Sequence, residues 1–317
     1  MGGFYGVGDR ALLRQYRDFQ SGFTDWDQRG HAKEWLLYAH NLGSHLSLDE
    51  TSLSQGELYT ILTNKAAKGG KGSIVAIVAG TKADTVIEVL RKLPESQRKK
   101  VKEVTLDMAG NMALIAKKCF PKATQVTDRF HVQQLALEAV QDMRIAYRWQ
   151  ALEADNEALE QAKLNQTDYQ PEMLANGDTV KQLLARSRYV LYKKATNWTE
   201  SQRERAMLLF ERYPDLKTAY ELSQSLSYIF EATTNKLYGL ARLAKWHEGV
   251  RQAGFKAFNT VARSIQNHYE TILNYFDNRS TNASAESFNA KIKAFRAQFR
   301  GVRNVEFFLY RLTQLYA

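Results

Sequence analysis

The chain has 317 residues, with 44 Lys and Arg against 34 Asp and Glu, a formal net charge of +10, and 44% apolar residues. That length allows one large domain or two with a full core, and the composition excludes wholesale disorder. The single cysteine, Cys119, excludes an intramolecular disulfide framework and any multi-cysteine zinc module within this chain.

No run approaches the roughly 18 apolar residues of a membrane span, and the first residues, MGGFYGVGDR, carry no signal-peptide core. The expectation is therefore a soluble cytoplasmic protein without membrane contact. Its basic surplus points to a polyanionic partner. From Arg279 onward seven basic residues face two acids, so half the surplus lies in about an eighth of the chain.

In chain order, the first forty residues read as short helices, with Ala11–Phe19 and His31–Ala39 the clearest. Three β-type segments follow, His45–Leu48, Leu58–Leu62 and Ile74–Val78, joined by the glycine-bearing polar links SLSQGE and NKAAKGGKG as in hairpins. Lys82–Leu93 places Val86, Val89, Leu90 and Leu93 at helical spacing. A strand at Val101–Leu106, a short helix at Asn111–Phe120 stopped by Pro121, and a strand at Ala123–Thr127 complete the order β-β-β-α-β-α-β. Three antiparallel strands followed by α/β crossovers make a mixed sheet of ribonuclease H-like order.

From His131 to about Phe276 the pattern is helical throughout, and one last amphipathic helix begins near Ser284. The predicted organisation is an N-terminal helical extension at 1–42 and a first part of the core at 43–131. An all-helical insertion at 132–278 and the last part of the core at 279–317 follow.

Asp49 ends the first predicted strand and Asp107 the fourth, strands that lie side by side in this topology. Two carboxylates brought together repel unless a cation sits between them, and Mg²⁺ suits a few carboxylates completed by water and phosphate oxygens. The alternative for Asp107 is a turn or cap ahead of the next helix.

On TNASAESFNAKIKAFRAQFR, Phe288, Ile292, Phe295 and Phe299 share one face. Glu286, Asn289, Lys293 and Arg300 lie opposite by the 100° step. Such a helix packs on a sheet while presenting a carboxylate and basic groups; a first-turn glutamate answering the helix dipole is the alternative. Asp128 and His131 stand at Asp-x-x-His spacing after the fifth strand. They are either support for a metal site or DNA contacts, or a capping Asp with a partly buried His. Glu50 points away from Asp49 if the strand continues. Trp198, Tyr228 and Trp246 are aromatic groups of the helical region for which core packing competes with base stacking.

LSLDETSLSQGELYTILTN, VTLDMAGNM, VTDRFHV and TNASAESFNAKIKAFRAQFRGVRN together resemble DDE transposases of bacterial insertion sequences, of the IS-L-three family and its ISAon group. The resemblance runs from about Gly43 to the C-terminus. It implies a ribonuclease H-like core interrupted by a helical insertion, with Asp49, Asp107 and Glu286 as the catalytic, metal-holding acids and two Mg²⁺ (or Mn²⁺) ions as cofactor. Asp128 and His131 match an element that follows the second acid in related families.

The implied activity is metal-dependent cleavage at transposon ends and strand transfer to target DNA, in the cytoplasm at the nucleoid. Asn289, Lys291, Lys293, Arg296, Arg300 and Arg303 would contact DNA. A homodimer in the synaptic complex and a separately encoded N-terminal end-recognition protein are the implied partners, because no Cys/His cluster precedes Asp49. A catalytically silent DNA-binding descendant and another ribonuclease H-like nuclease are the competing readings.

Overall fold

The sheet that organises the N-terminal and C-terminal parts of the chain is built from strands rich in β-branched and aliphatic residues. In the computed structural model, residues 8–54, 57–298, 302 and 304–317 are described. The strands are β1 (Trp35–Leu37), β2 (His45–Ser54), β3 (Glu57–Asn64), β4 (Ile74–Ala79), β5 (Glu103–Leu106) and β6 (Thr124–Thr127). Their spatial order is β1-β4-β3-β2-β5-β6. β2, β3 and β4 pair antiparallel, while β5 lies parallel to β2, and β6 parallel to β5.

The helices of this part are α1 (Asp9–Gln15), α2 (Ala83–Leu90), α3 (Glu95–Arg98) and α4 (Gly110–Cys119). Between β6 and the C-terminal segment come α5 (Arg129–Leu164), α6 (Val180–Arg186), α7 (Arg188–Tyr192), α8 (Glu200–Arg212), α9 (Pro214–Ala232), α10 (Lys236–Ala253), α11 (Lys256–Asn267), α12 (Tyr269–Leu273) and α13 (Tyr275–Asn278). Last come α14 (Ala283–Gln298) and α15 (Val305–Tyr316). The chain divides into two compact units, one running to Asp128 and resuming at Ser280, the other Arg129–Arg279.

In the first unit the alternation of side chains along each strand sends apolar groups to both faces, so both must be covered. Leu46 and Leu48 of β2 and Val104 and Leu106 of β5 join one core with Val86 and Leu90 of α2 and Met112 and Ile115 of α4. On the other face Tyr59, Ile61, Ile74 and Ile77 meet Phe288, Ile292 and Phe295 of α14 and Phe308, Leu309 and Leu312 of α15. This two-faced cover over a mixed sheet, in which β2, β3 and β4 are antiparallel and β5 and β6 run parallel to β2, is the ribonuclease H-like arrangement.

Two expectations are corrected. His31–Ala39 does not form a helix, so the first forty residues are not a purely helical extension. Trp35–Leu37 adds an edge strand to β4, with Trp35 opposite Val78 and Leu37 opposite Ala76. Leu36 is completely buried there. The open edge of β4 and a β-favouring tryptophan outweigh the helical spacing of a short apolar run. β2 also continues well past Leu48, because Asp49, Glu50 and Thr51 stay paired with Ile61, Thr60 and Tyr59 of β3. Asp49 therefore sits inside a strand rather than at its tip.

In the second unit α5 carries buried Val132, Ala136, Ala139 and Val140, and its apolar stripe is interrupted by Gln141 and Arg144. Both tie α5 to its neighbours: Arg144 donates to Leu184 O, in the open last turn of α6, at 2.9 Å, and Gln141 to Arg188 O, at the start of α7, at 3.2 Å. Reciprocal capping boxes at Thr179/Gln182 and Thr199/Gln202 start α6 and α8. Arg279 takes the left-handed conformation, φ 52°, and donates to Phe230 O at 3.0 Å and Thr233 O at 2.8 Å, closing the C-terminal end of α9.

Trp246 is buried and donates to Leu222 O at 2.9 Å, and Trp198 packs by Tyr220 and Phe210, so both serve this unit's core. Tyr228 is exposed. Among the described residues, no helix is long and apolar enough to cross a membrane.

Candidate active site

Strand register decides which acids meet. In the parallel pair, His45 faces Glu103, Leu46 faces Val104 and Ser47 faces Thr105. The pairing ends there; continued by two residues, it would bring Asp49 of β2 opposite Asp107, the first residue after β5. Between β5 and β6, Leu106 faces Thr127, and Asp128 N donates to Leu106 O at 2.9 Å, which carries the ladder one step on. Asp107 and Asp128 thus follow directly on the adjacent strands β5 and β6, and Asp49 lies within the neighbouring β2. Asp128 is completely buried.

The helix that covers this face is α14. Its apolar side chains Phe288, Ile292 and Phe295 are buried as the spacing predicts. Each such burial is worth about 1.5–3 kcal/mol, so apolar contact provides most of the docking force. Asn289 is placed next to that stripe, and its Nδ2 donates to Asp49 Oδ2 at 2.8 Å. Glu286 lies one turn earlier on the same side of the helix and is exposed.

The acids also have local partners. Asp49 Oδ1 accepts from Glu50 N at 2.8 Å, and Asp107 Oδ1 accepts from Ala109 N at 2.8 Å, a turn contact just ahead of α4. Glu50 points to the opposite face, where its Oε1 accepts from Asn111 Nδ2 at 3.2 Å; Asn111 Nδ2 also donates to Thr81 O at 3.0 Å. That bond joins β2 to the start of α4 and holds the two acid-bearing segments together from behind.

Earlier along β5, at buried Glu103 and Thr105, lies a polar group. Lys65 Nζ donates to Thr105 Oγ1 at 2.8 Å and to Glu103 Oε1 at 3.3 Å. It also donates to Ser280 Oγ, and Ser280 Oγ donates in turn to Glu103. Burial lowers the Lys65 ammonium below the usual lysine range, opposed by the carboxylates of Glu103 and Asp128.

These residues were missed by sequence reasoning. The available signal was Glu103 itself, a charge inside an otherwise buried strand, which requires a partner.

The basic residues proposed to contact DNA divide by environment. Lys293 is exposed and Arg296 half-buried. Lys291 Nζ donates to Gly69 O at 2.6 Å, so this donor is engaged within the protein. Arg300 and Arg303 lie outside the described residues. His131 is half-buried in the first turn of α5, in the second unit.

Among the described residues no group of three or more His, Cys, Asp or Glu side chains stands ready to hold a metal ion. The donor chemistry nonetheless fits a hydrated hard cation: carboxylate oxygens at adjacent register positions, with polar groups beside them. Ser47 Oγ, two residues before Asp49, is buried without a hydrogen-bond partner among the described residues. The same holds for both side-chain polar atoms of Asn282, one turn before Glu286. Orphaned groups of this kind are satisfied by ordered water, which Mg²⁺ keeps in its shell.

A transposase family model, that of the IS-L-three DDE transposases, matches residues 46–312. The chain belongs to this family. The match takes in every one of the predicted site residues, from Asp49 to Arg303. No similar sequence was found among curated proteins. Among solved structures, this IS-L-three family member is similar to a chain of the Drosophila P element transposase strand transfer complex. The two are 13% identical, with 97% of this chain and 84% of that chain covered and a TM-score of 0.41.

Proposed function

We propose that this transposase cuts DNA at transposon ends and joins the released end to target DNA, with Asp49, Asp107 and Glu286 as its metal-holding acids. The observation that supports the reading is that Asn289, one turn from Glu286, binds Asp49 of β2, the strand paired with the one that leads into Asp107. Bound Mg²⁺ or Mn²⁺ ions would stabilise charge on the attacking and leaving oxygens of an in-line displacement.

The chain's own residues prepare that site. Asp49 and Asp107 present carboxylates from a rigid sheet, and Asn289 fixes the orientation of Asp49. Glu286 is delivered by a helix held on the sheet through its apolar face. In the first step a water oxygen bonds to phosphorus as the P–O3′ bond breaks, leaving a 3′-hydroxyl. In the second that hydroxyl attacks a target phosphodiester and displaces a target 3′-oxygen.

Exposed Lys293 and half-buried Arg296 supply sequence-independent attraction to phosphates. Asp128, directly after β6, supports the other two aspartates. His131 belongs to the same sequence element. A homodimer at paired ends, a separate end-reading protein and action at the nucleoid complete the reading.

Asp49→Asn, Asp107→Asn and Glu286→Gln should each abolish Mg²⁺-dependent cleavage of terminal-repeat DNA while leaving DNA binding intact. Full activity in these variants sinks the assignment. The local bonds of Asp49 and Asp107 favour a second reading, a DNA-binding descendant in which both acids are structural. A native chain that binds DNA but neither cuts nor joins it would establish that one. Cleavage without strand transfer would instead indicate a nuclease.

A further inference from the structure

The apolar face of α14 fixes how close the helix lies to the sheet, but not where it stops along its own axis. Phe288, Ile292 and Phe295 recur at helical spacing, so a slide of one turn, about 5.4 Å, would still present apolar side chains to the sheet. Such a slide would carry Glu286 and Asn289 away from Asp49. Only point contacts can discriminate between the two positions.

The loop after β3 makes those contacts. At its start Lys65 Nζ reaches Ser280, in the segment leading into α14, and is itself held by Glu103 and Thr105 of β5. At its centre Gly69, with φ +73°, adopts a conformation that a side chain would strain, and it lies against the Ser284 and Ser287 turn of the helix. Its carbonyl accepts from Lys291 Nζ at 2.6 Å. The loop therefore grips the helix both ahead of its first turn and midway along it. A buried ion pair such as Lys65–Glu103 is weak evidence for stability, and its best-attested use is to fix register.

We propose that the Lys65–Gly72 loop is a clamp that sets the axial position of α14, with Lys65 and Lys291 as positioning residues for Glu286 and Asn289. This rests on the reading of Glu286 as a site acid.

The test uses the full chain. Lys65→Met combined with Glu103→Gln removes the anchor without leaving a lone buried charge, and Lys291→Met releases the second contact at a half-exposed position. Lys65→Arg is the conservative control. Hydrogen–deuterium exchange of α14 amides should quicken about tenfold or more in the first two variants, as local opening becomes easier. Mn²⁺ affinity, titrated by electron paramagnetic resonance, should fall about tenfold or more, as for other groups that orient metal ligands. Lys65→Arg should restore most of both.

Unchanged α14 exchange in both variants overturns the clamp, whatever the DNA assays give. A lower melting temperature with α14 exchange and Mn²⁺ affinity unaltered also overturns it, since the residues would then be merely structural. If the native chain neither binds Mn²⁺ nor cuts DNA, the reading of the acids fails instead, and the exchange measurement still decides the clamp.

Discussion

Asn289 Nδ2 donates to Asp49 Oδ2 at 2.8 Å, joining two residues 240 positions apart in the chain. A hydrogen bond to a charged group contributes about 1.5–3 kcal/mol, less than the combined burial of Phe288, Ile292 and Phe295. Its value lies in direction. Asn289→Ala should leave the fold and DNA binding in place while lowering the cleavage rate by about 10- to 100-fold, the cost typical of losing a group that orients a metal ligand. Single-turnover cleavage at saturating DNA measures this, and an unchanged rate would show that Asp49 needs no such guide.

The basic residues after Arg279 should separate into two classes by salt dependence. Lys293→Ala with Arg296→Ala should lower the slope of log affinity against log salt by about 1.8, at roughly 0.9 per phosphate contact on duplex DNA. Arg279→Ala should leave that slope alone and instead destabilise Arg129–Arg279, because it strips partners from Phe230 O and Thr233 O. Filter binding from low to high salt, paired with thermal melts, distinguishes them.

Gly239 of α10 marks a close approach. A Cβ built there would meet Phe276 Cδ2 and Cε2 at 2.6 Å, and Phe276 is in turn stacked on Phe230, with centroids 5.6 Å apart. The ring has little room to yield. Overpacking strain of up to about 3 kcal/mol outweighs the gain of about 1 kcal/mol in helix propensity. Gly239→Ala should therefore lose about 2 kcal/mol and lower the melting temperature of this unit by about 4–8 °C. A melt at or above the native value would contradict the contact.

Asp178, 1% exposed, accepts from Arg205 Nε at 2.9 Å and pairs with Arg186. Burial raises its carboxyl, but the two guanidinium groups outweigh burial and hold it below the usual aspartate range. A lowered folded-state value means that the pair's stabilisation is present above the unfolded aspartate pKa of about 3.9 and is lost as pH falls below it. Asp178→Asn should accordingly melt below the native chain at neutral pH, with the gap narrowing as pH falls below the unfolded aspartate value. A gap that persists in acid would assign the loss to packing.

Cys119 is completely buried, and burial pushes its thiol up to about 11. It should resist maleimide in the native state and react at once in denaturant.

What the sequence made legible follows from how local each signal is. The strands at His45, Ile74, Val101 and Ala123 stand out because β-branched and aliphatic runs are short-range patterns, and they put Asp49 and Asp107 on neighbouring segments of the expected sheet. α14 is equally legible, since Phe288, Ile292 and Phe295 repeat at one spacing. Trp35–Leu37 was misread because a three-residue edge strand depends on a partner, β4, that lies about forty residues away. Lys65, Glu103 and Ser280 form a cluster from three distant segments, so no local pattern could reveal it. Asp128 was visible, but its backbone bond to Leu106, the residue before Asp107, depends on register.

One face of the sheet depends on α14 and α15, whose Phe288, Ile292, Phe308 and Leu312 cover Ile61, Ile74 and Ile77. Both helices follow Arg129–Arg279 in the chain, so a nascent chain carries a sheet with one bare apolar face until that whole segment has been made. The same order withholds Asn289 from Asp49 until then. We expect a chain ended at Arg279 to aggregate, and a soluble, monomeric product would refute this. Chain order thereby delays the pairing of Asn289 with Asp49 until the whole intervening segment has been made.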